Sequence, residues 1–198
     1  MSTRRFIFII TILVIALFAT GAAIWITLKT NRGAIVTGLN IGGPFSLIDH
    51  TGQRVTEADY AGRVKLIFFG YSFCPDICPT ELSRISTVLD DLGRDAEKVV
   101  PIFVTIDPDR DSVEALRDYQ ASFHPAIQML TGNTAEIAAM AANYRVYYQR
   151  VGKDDDYLMD HSSFTFLIDT KGVMREHFTP QSTVEQMLTA LRRTFEES

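Results

Sequence analysis

The residues best suited to chemistry in this chain of 198 residues are its two cysteines, Cys74 and Cys78. They lie in the stretch CPDICP, which follows the apolar run 64–69. Side chains at this spacing share one face of a helix, with Cβ atoms roughly 5–6 Å apart, and a helix N-terminus stabilises thiolates. Two such thiolates can close a disulfide or hold a soft metal ion. Because both cysteines lie in one short motif, we favour this chemistry over a pair of inert buried thiols.

A second motif, DHSS at 160–163, precedes the apolar run 164–168. We expect the loop that enters the corresponding strand to lie against the start of the cysteine helix, so that His161 faces the two cysteines. Two sulfurs and one imidazole suit three-coordinate copper(I), a soft ion, whereas zinc would require a fourth ligand or a water molecule. Asp160 is expected either to supply that fourth ligand or to orient the imidazole, and the sequence leaves both alternatives open.

The elements that must position these residues alternate between strands and helices. Apolar and β-branched runs predict strands at 45–48, 64–69, 99–106, 126–130, 146–151, 164–169 and 173–178. Pro101 predicts that its strand lies at a sheet edge or is just beginning there. Helices are predicted at 81–92, from a cap at Asp111 to Phe123, from a cap at Thr134 to Tyr144, and after a cap at Ser182. This order predicts an α/β protein with a thioredoxin-like fold, a central mixed sheet with flanking helices.

The N-terminal segment is predicted to anchor the protein in a membrane. Residues 6–28 contain no ionisable side chain, and a helix of this length spans roughly 35 Å, enough to cross a hydrocarbon core of about 30 Å. The alternative is a signal peptide cleaved near the small residues 19–21, which the length of the apolar run argues against. We therefore predict a short tail at 1–5, one transmembrane helix at 6–28, a Gly-rich linker at 29–44 and one folded domain at 45–198. The expected location is the lipid bilayer of a bacterial inner membrane, with the domain facing the periplasm.

Composition excludes other classes of function. The chain carries 19 basic and 24 acidic residues, and four of the basic residues but none of the acidic ones fall within the first 32 positions. The predicted domain is therefore strongly acidic. Nucleic-acid affinity depends on Lys and Arg that neutralise phosphates, so no nucleic-acid partner is expected. With only two cysteines, a framework of several disulfides is excluded as well.

Four separated motifs of the chain resemble those of one known family. They are GYSFCPDICPTEL at 70–82, TIDPDRD at 105–111, LTG at 130–132 and DHS at 160–162. The motifs and their order resemble the Sco/SenC family of membrane-anchored copper chaperones. The resemblance covers about residues 41–195, which is nearly the whole predicted domain.

The resemblance implies a ligand set and a function. Sco/SenC proteins have a thioredoxin-like fold and bind copper through two cysteines and one histidine, which match Cys74, Cys78 and His161 in this sequence. The family delivers copper to the binuclear copper centre in subunit II of cytochrome c oxidase, or prepares the cysteines of that centre. The implied partners are that subunit, an unidentified copper donor and an unidentified thiol reductant.

Two functional hypotheses remain open. In the first, the chain is a metallochaperone that holds copper and passes it on by ligand exchange. In the second, it is a membrane-anchored thiol-disulfide oxidoreductase whose redox-active dithiol is Cys74 and Cys78. Thioredoxin-type reductases resemble each other in placing a cis-proline opposite the cysteines, and no proline adjoins the strand that opens at Phe164. The Cys-x₃-Cys spacing also differs from the Cys-x₂-Cys of general reductants, so both features favour metal binding.

The remaining polar clusters are interpreted as structural. Asp107, Asp109 and Asp111 lie in a strand-to-helix turn that contains a proline, which indicates helix capping rather than a hard-metal site. The acidic run 154–156 is interpreted as a solvated loop. Three histidines share no motif with the cysteines and are interpreted as structural: His50, His124 and His177.

Overall fold

The computed structural model describes residues 20–21, 41–154 and 156–198. The chain divides into two compact units, Met1–Leu39 and Asn40–Ser198, and the strands and helices named here belong to the second unit. The predicted tail, the transmembrane helix apart from residues 20–21, and the linker up to residue 40 lie outside the described residues. Within the described ranges, no helix is both long enough and apolar enough to span a membrane.

Seven strands form the central sheet, in the order β2-β1-β5-β4-β3-β8-β9. They are β1 (Ser46–Asp49), β2 (Arg54–Thr56), β3 (Val64–Gly70), β4 (Val99–Thr105), β5 (Gln128–Thr131), β8 (Thr165–Ile168) and β9 (Met174–Phe178). The strands β3, β4 and β5 run parallel to one another, and the other pairings are antiparallel. The predicted α/β fold with a central mixed sheet is therefore confirmed.

A second sheet is a separate two-stranded hairpin. It consists of β6 (Tyr148–Val151) and β7 (Leu158–His161), which pair with each other in an antiparallel ladder. Its strands are largely exposed or only partly buried. The hairpin carries His161 at the last position of β7, so the predicted loop histidine lies on a strand that the sequence did not predict.

The core of the molecule lies around β3 and β4. These strands pair in parallel from Val64 opposite Val99 to Gly70 opposite Thr105, and every residue of both strands is buried. Strands covered on both faces read as continuous apolar runs, which is why both were predictable. Their carboxyl ends meet at one edge of the sheet, the place where open α/β sheets position functional loops.

Four helices flank the central sheet in the described part of the chain. They are α1 (Ile77–Leu92), α2 (Val113–Gln120), α3 (Thr134–Asn143) and α4 (Val184–Glu197). Short 3₁₀ segments precede β3 and β4, at Glu57–Tyr60 and Gly93–Lys98. Six residues separate the end of β3 from the start of α1, and α1 packs against α4, so α1 begins directly above the carboxyl edge of the sheet.

Three predicted helix caps are wrong by one residue. The side chains that accept a hydrogen bond from the first turn are those of Ser112, Asn133 and Thr183, whereas the sequence favoured their neighbours Asp111, Thr134 and Ser182. In each pair both residue types are good caps. The backbone decides between them, because the observed cap residues have extended ψ angles of 169°, 164° and 160°.

The prediction of an edge position for Pro101 is also wrong, because β4 lies between β3 and β5. Pro101 is opposite Leu66 on β3, whereas pairing between β4 and β5 begins one residue later, at Ile102. The proline, which lacks an N–H, therefore precedes the two-sided part of the strand. The second predicted alternative, a strand beginning, describes this position.

Candidate metal centre

The two cysteines lie where β3 passes into α1. Gly70 ends the strand, the backbone N–H of Cys74 donates to the carbonyl of Tyr71 across a turn at 3.2 Å, and α1 begins at Ile77. Cys78 is therefore in the first turn of the helix and is fully buried, whereas Cys74 lies in the preceding turn and is partly buried. Both are free thiols. The predicted position at a helix start is confirmed for Cys78, and Cys74 lies just outside the helix.

His161 approaches the cysteines from the hairpin. Its Nε2 atom lies 3.8 Å from the Sγ atom of Cys78, although the two residues are 83 positions apart. Its Nδ1 atom lies 3.1 Å from the carbonyl oxygen of Ser162, and a carbonyl can only accept. The proton is therefore assigned to Nδ1, which leaves the lone pair of Nε2 facing the sulfur.

Asp160 does not orient the imidazole. Successive side chains of a strand point to opposite faces, and along β7 Asp160 is exposed whereas His161 is partly buried. The role that the sequence offered to this carboxylate, holding the second ring nitrogen, falls to the backbone carbonyl of Ser162.

The observed spacing suits a metal ion held between sulfur and nitrogen. For the bond lengths of zinc sites, about 2.3 Å to sulfur and about 2.0 Å to nitrogen, an angle of about 120° between the bonds separates the two ligand atoms by ~3.7 Å. The observed separation is 3.8 Å. Among the described residues, no three His, Cys, Asp or Glu side chains already converge as a finished metal site.

The two thiols differ in pKa. The thiol of Cys78 donates a hydrogen bond to the sulfur of Cys74, and this contact holds the pKa of Cys74 well below its usual range despite partial burial. The same contact raises the pKa of Cys78, and burial raises it further. Cys74 is therefore the thiol of the pair that loses its proton more readily.

A family model described as SCO1/SenC matches residues 35–196. The chain belongs to the SCO1/SenC family. An SCO2-like protein of Rickettsia prowazekii is 43% identical over 143 residues, which cover 71% of this chain and 70% of that protein. Bradyrhizobium japonicum ScoI, solved with copper bound, is 44% identical with a TM-score of 0.73, covering 78% of this chain and 99% of the other. Yeast Sco1, also solved with copper bound, is 35% identical with a TM-score of 0.74, covering 80% of this chain and 90% of the other.

These likenesses confirm the Sco/SenC resemblance drawn from the four motifs and, with it, the thioredoxin-like fold. Copper is the ion found in the Bradyrhizobium and yeast structures. It is also the soft ion for which two sulfurs and one imidazole are suited.

The cysteine loop of this Sco/SenC protein is anchored by a carboxylate whose role the sequence did not indicate. Asp111, predicted as a helix cap, is fully buried and accepts hydrogen bonds from the N–H of Ser72 at 3.1 Å, from the hydroxyl of Ser72, and from the hydroxyl of Thr105 at 2.6 Å. Burial raises the pKa of Asp111, and these hydrogen bonds partly oppose the rise. The predicted topology could have indicated this role. The loops that follow the neighbouring parallel strands β3 and β4 meet at the same edge of the sheet, so a side chain of one loop can contact the other.

Aromatic rings enclose the histidine on its inner side. The ring centroids of Tyr71 and Phe68 lie 6.0 and 6.4 Å from that of His161, both edge-on.

Two other histidines have the structural roles expected of them. The Nδ1 atom of His50 accepts a hydrogen bond from the backbone N–H of Met129, and the Nδ1 atom of His124 accepts one from the backbone N–H of Ala126.

The difference in pKa between the thiols predicts selective alkylation. We expect iodoacetamide to modify Cys74 first, since Cys78 is buried and its pKa is raised. Because the pKa of Cys74 is lowered, its reaction rate should stay nearly constant as the pH falls from 8 to 6. The rate for an ordinary thiol falls about tenfold per pH unit over this range.

Peptide mapping by mass spectrometry across this pH range gives the two rates separately. The variant Cys78→Ala removes the hydrogen-bond donor, so its Cys74 profile should shift to higher pH. Equal rates at the two cysteines, or a Cys74 profile like that of a free thiol, would contradict the difference in pKa between them.

Proposed function

We propose that this protein is a copper chaperone. It binds one copper ion through Cys74, Cys78 and His161 and delivers it to the binuclear copper centre in subunit II of cytochrome c oxidase. The observation that carries the proposal is the 3.8 Å approach of the His161 Nε2 atom to the Cys78 sulfur. Support comes from membership of the SCO1/SenC family and from copper-bound structures of relatives.

The differing exposure of the ligands favours release toward a docked partner. Cys78 is buried, so it is the ligand best shielded from an incoming group, whereas Cys74 is partly exposed. Two apolar side chains next to it are also exposed, Phe73 at 57% and Ile77 at 40%. Exposed apolar side chains beside a site favour a partner surface over open water. We infer that a partner thiolate approaches on this side and replaces Cys74 first in the exchange of ligands.

We further propose that the protein works from the membrane surface. The apolar run at residues 6–28 is proposed to cross a bacterial inner membrane once, and the linker at 29–44 to carry the domain on the periplasmic side. This arrangement places the copper site on the side from which an extracytoplasmic copper centre is assembled.

A second function, thiol-disulfide exchange, is favoured by the lowered pKa of Cys74. Its thiolate can attack a disulfide of a partner and form a mixed disulfide. Cys78 then loses its proton and attacks the Cys74 sulfur, which releases the partner as a dithiol and leaves a Cys74–Cys78 disulfide. Two electrons pass to the partner in this exchange, so an external thiol reductant must restore the dithiol before another cycle.

The two functions predict different behaviour of one variant in cells. In a host that lacks its own Sco protein, the full chain should restore cytochrome c oxidase activity and the copper content of subunit II. If copper holding is the function, then Cys74→Ser, Cys78→Ser and His161→Ala should each lose this restoration, because each removes a ligand. The measurements are oxidase activity and copper per haem in isolated membranes.

The histidine variant decides between the functions. Restoration by His161→Ala with failure of both cysteine variants would overturn the chaperone proposal in favour of thiol exchange. Loss in all three variants, with wild-type amounts of each protein on immunoblots, supports copper delivery.

A further inference from the structure

The hairpin that carries His161 must be held by contacts other than the central sheet. Its strands β6 and β7 pair only with each other in the described part of the chain, and an isolated two-stranded hairpin is marginally stable in water. His161 is its last residue before the chain returns to β8. The position of the imidazole therefore depends on whatever fixes this hairpin to the rest of the domain.

One such contact is made at Tyr157, the residue directly before β7. Its side chain is buried, and its hydroxyl donates to an Oδ1 atom of Asp107 at 2.6 Å. Its backbone carbonyl accepts from Nη1 of Arg110 at 3.0 Å. The guanidinium carbon of Arg110 also lies 3.6 Å from the centroid of the Tyr157 ring, within the range of a cation–π contact.

The same arginine reaches the cysteine loop. Its guanidinium carbon lies 4.7 Å from the ring centroid of Phe73 and 5.8 Å from that of Tyr71. An ion pair with Asp107 at 2.5 Å orients the guanidinium between these groups. Phe73 adjoins Cys74 in the sequence, so Arg110 contacts both the element that carries the sulfurs and the element that carries the imidazole.

We propose that Arg110, together with Tyr157 and Asp107, is a positioning group that holds the histidine hairpin against the cysteine loop and so determines the affinity for copper. The inference rests on the proposed copper-binding function. In this proposal Arg110 acts through the placement of His161 rather than as a ligand. Removal of a group that orients a metal ligand lowers metal affinity about 10–100-fold, and we expect an effect of this size for Arg110.

The chain provides a matched control in Arg150. Its guanidinium carbon also lies 3.6 Å from the Tyr157 ring centroid, but it belongs to β6 and makes its hydrogen bonds within the hairpin, to the carbonyls of Lys153 and Asp154. Removal of either arginine costs a stacking contact on the same ring. Arg110 also contacts Tyr71 and Phe73 of the cysteine loop, so its removal takes away a contact between that loop and the hairpin as well.

The test is a double-mutant cycle on the purified full chain. Cu(I) affinity is measured by competition with a chromophoric chelator for wild type, Arg110→Gln, Arg150→Gln and His161→Ala, and for the pair Arg110→Gln with His161→Ala. We expect Arg110→Gln to weaken binding about 10-fold or more and Arg150→Gln to weaken it less than threefold. In the His161→Ala background, Arg110→Gln should have no further effect, since the group it positions is gone.

Other outcomes separate the failure of this inference from the failure of the proposed function. An equal loss from Arg110→Gln with and without His161 would overturn the positioning role, because the effect would then reach the cysteines or the whole fold. Full affinity in Arg110→Gln would overturn it as well. Full affinity in His161→Ala would instead overturn the copper site itself. If Arg110→Gln does not fold, Tyr157→Phe, which loses only the hydroxyl bonded to Asp107, is measured in the same cycle.

Discussion

The variant His161→Ala is expected to bind Cu(I) at least about 100-fold more weakly than wild type, because loss of even an outer partner of a metal ligand costs about 10–100-fold. The reduction potential of the Cys74–Cys78 pair should remain close to that of wild type. Cys78 donates its hydrogen bond to Cys74 without help from the imidazole, and the contact between the sulfurs is the largest influence on both thiols. The change therefore separates metal holding from thiol chemistry.

Two measurements on the purified protein examine this prediction. Competition with a Cu(I) chelator gives the affinity, and equilibration in dithiothreitol buffers gives the reduction potential of the cysteine pair. The matched control is His177→Ala, which removes an exposed imidazole that packs edge-on against Phe164 at a centroid distance of 5.2 Å. We expect the control to keep wild-type affinity. Unchanged copper retention by His161→Ala would contradict the three-ligand site.

The second large effect is expected from Gly70→Ala, at the end of β3. A Cβ atom at Gly70 would lie 2.7 Å from the Cys78 sulfur and 2.9 Å from a ring carbon of Phe103, closer than carbon contacts allow. Phe103 is fixed in the core, so the thiol must move away from its place in the site. We expect at least about tenfold weaker copper binding, together with a loss of about 1–3 kcal/mol in the free energy of unfolding, as is typical of overpacking.

Gly132→Ala is the control for crowding alone. A Cβ atom there would lie 2.7 Å from a carboxylate oxygen of Glu136 and 2.9 Å from a methyl group of Leu47, so the steric conflict is similar but involves no ligand. Chemical denaturation measures the stability of both variants and chelator competition their copper affinity. Equal copper affinities in the two variants would show that Gly70 matters only for folding.

The sequence alone was sufficient for the main architecture. The runs that form β3 and β4 are apolar except at Lys65 and Thr105, because both faces of these strands are covered. This pattern can be recognised without knowing which strands lie beside them. The cysteines could be placed between β3 and α1 for a similar reason, since strand, turn and helix follow one another within 30 residues of local sequence. The family was also predictable, because it depends on motifs that are local in the chain.

Other features were decided by tertiary structure. Asp111 was indistinguishable in sequence from a helix cap, and only the meeting of two loops at the sheet edge turns its carboxylate toward Ser72 and Thr105. The choice of Ser112 as the actual cap depends on a backbone angle rather than on residue type. Likewise, the hydrogen bond to Ser162 that directs the His161 ring follows from the exact path of the chain.

For the ligand set too, the sequence determined some features and the tertiary structure determined others. Residue types, together with the topology expected of the fold, proposed Cys74, Cys78 and His161 as ligands, since sulfur and imidazole chemistry is a property of side chains wherever they lie. The 3.8 Å distance between Cys78 and His161, by contrast, arises from a hairpin whose strands are short and largely exposed. Such strands leave little periodic signal in a sequence. Their position depends on contacts such as that of Arg110 with Tyr157, which join parts of the chain 47 residues apart and form only when the whole domain folds.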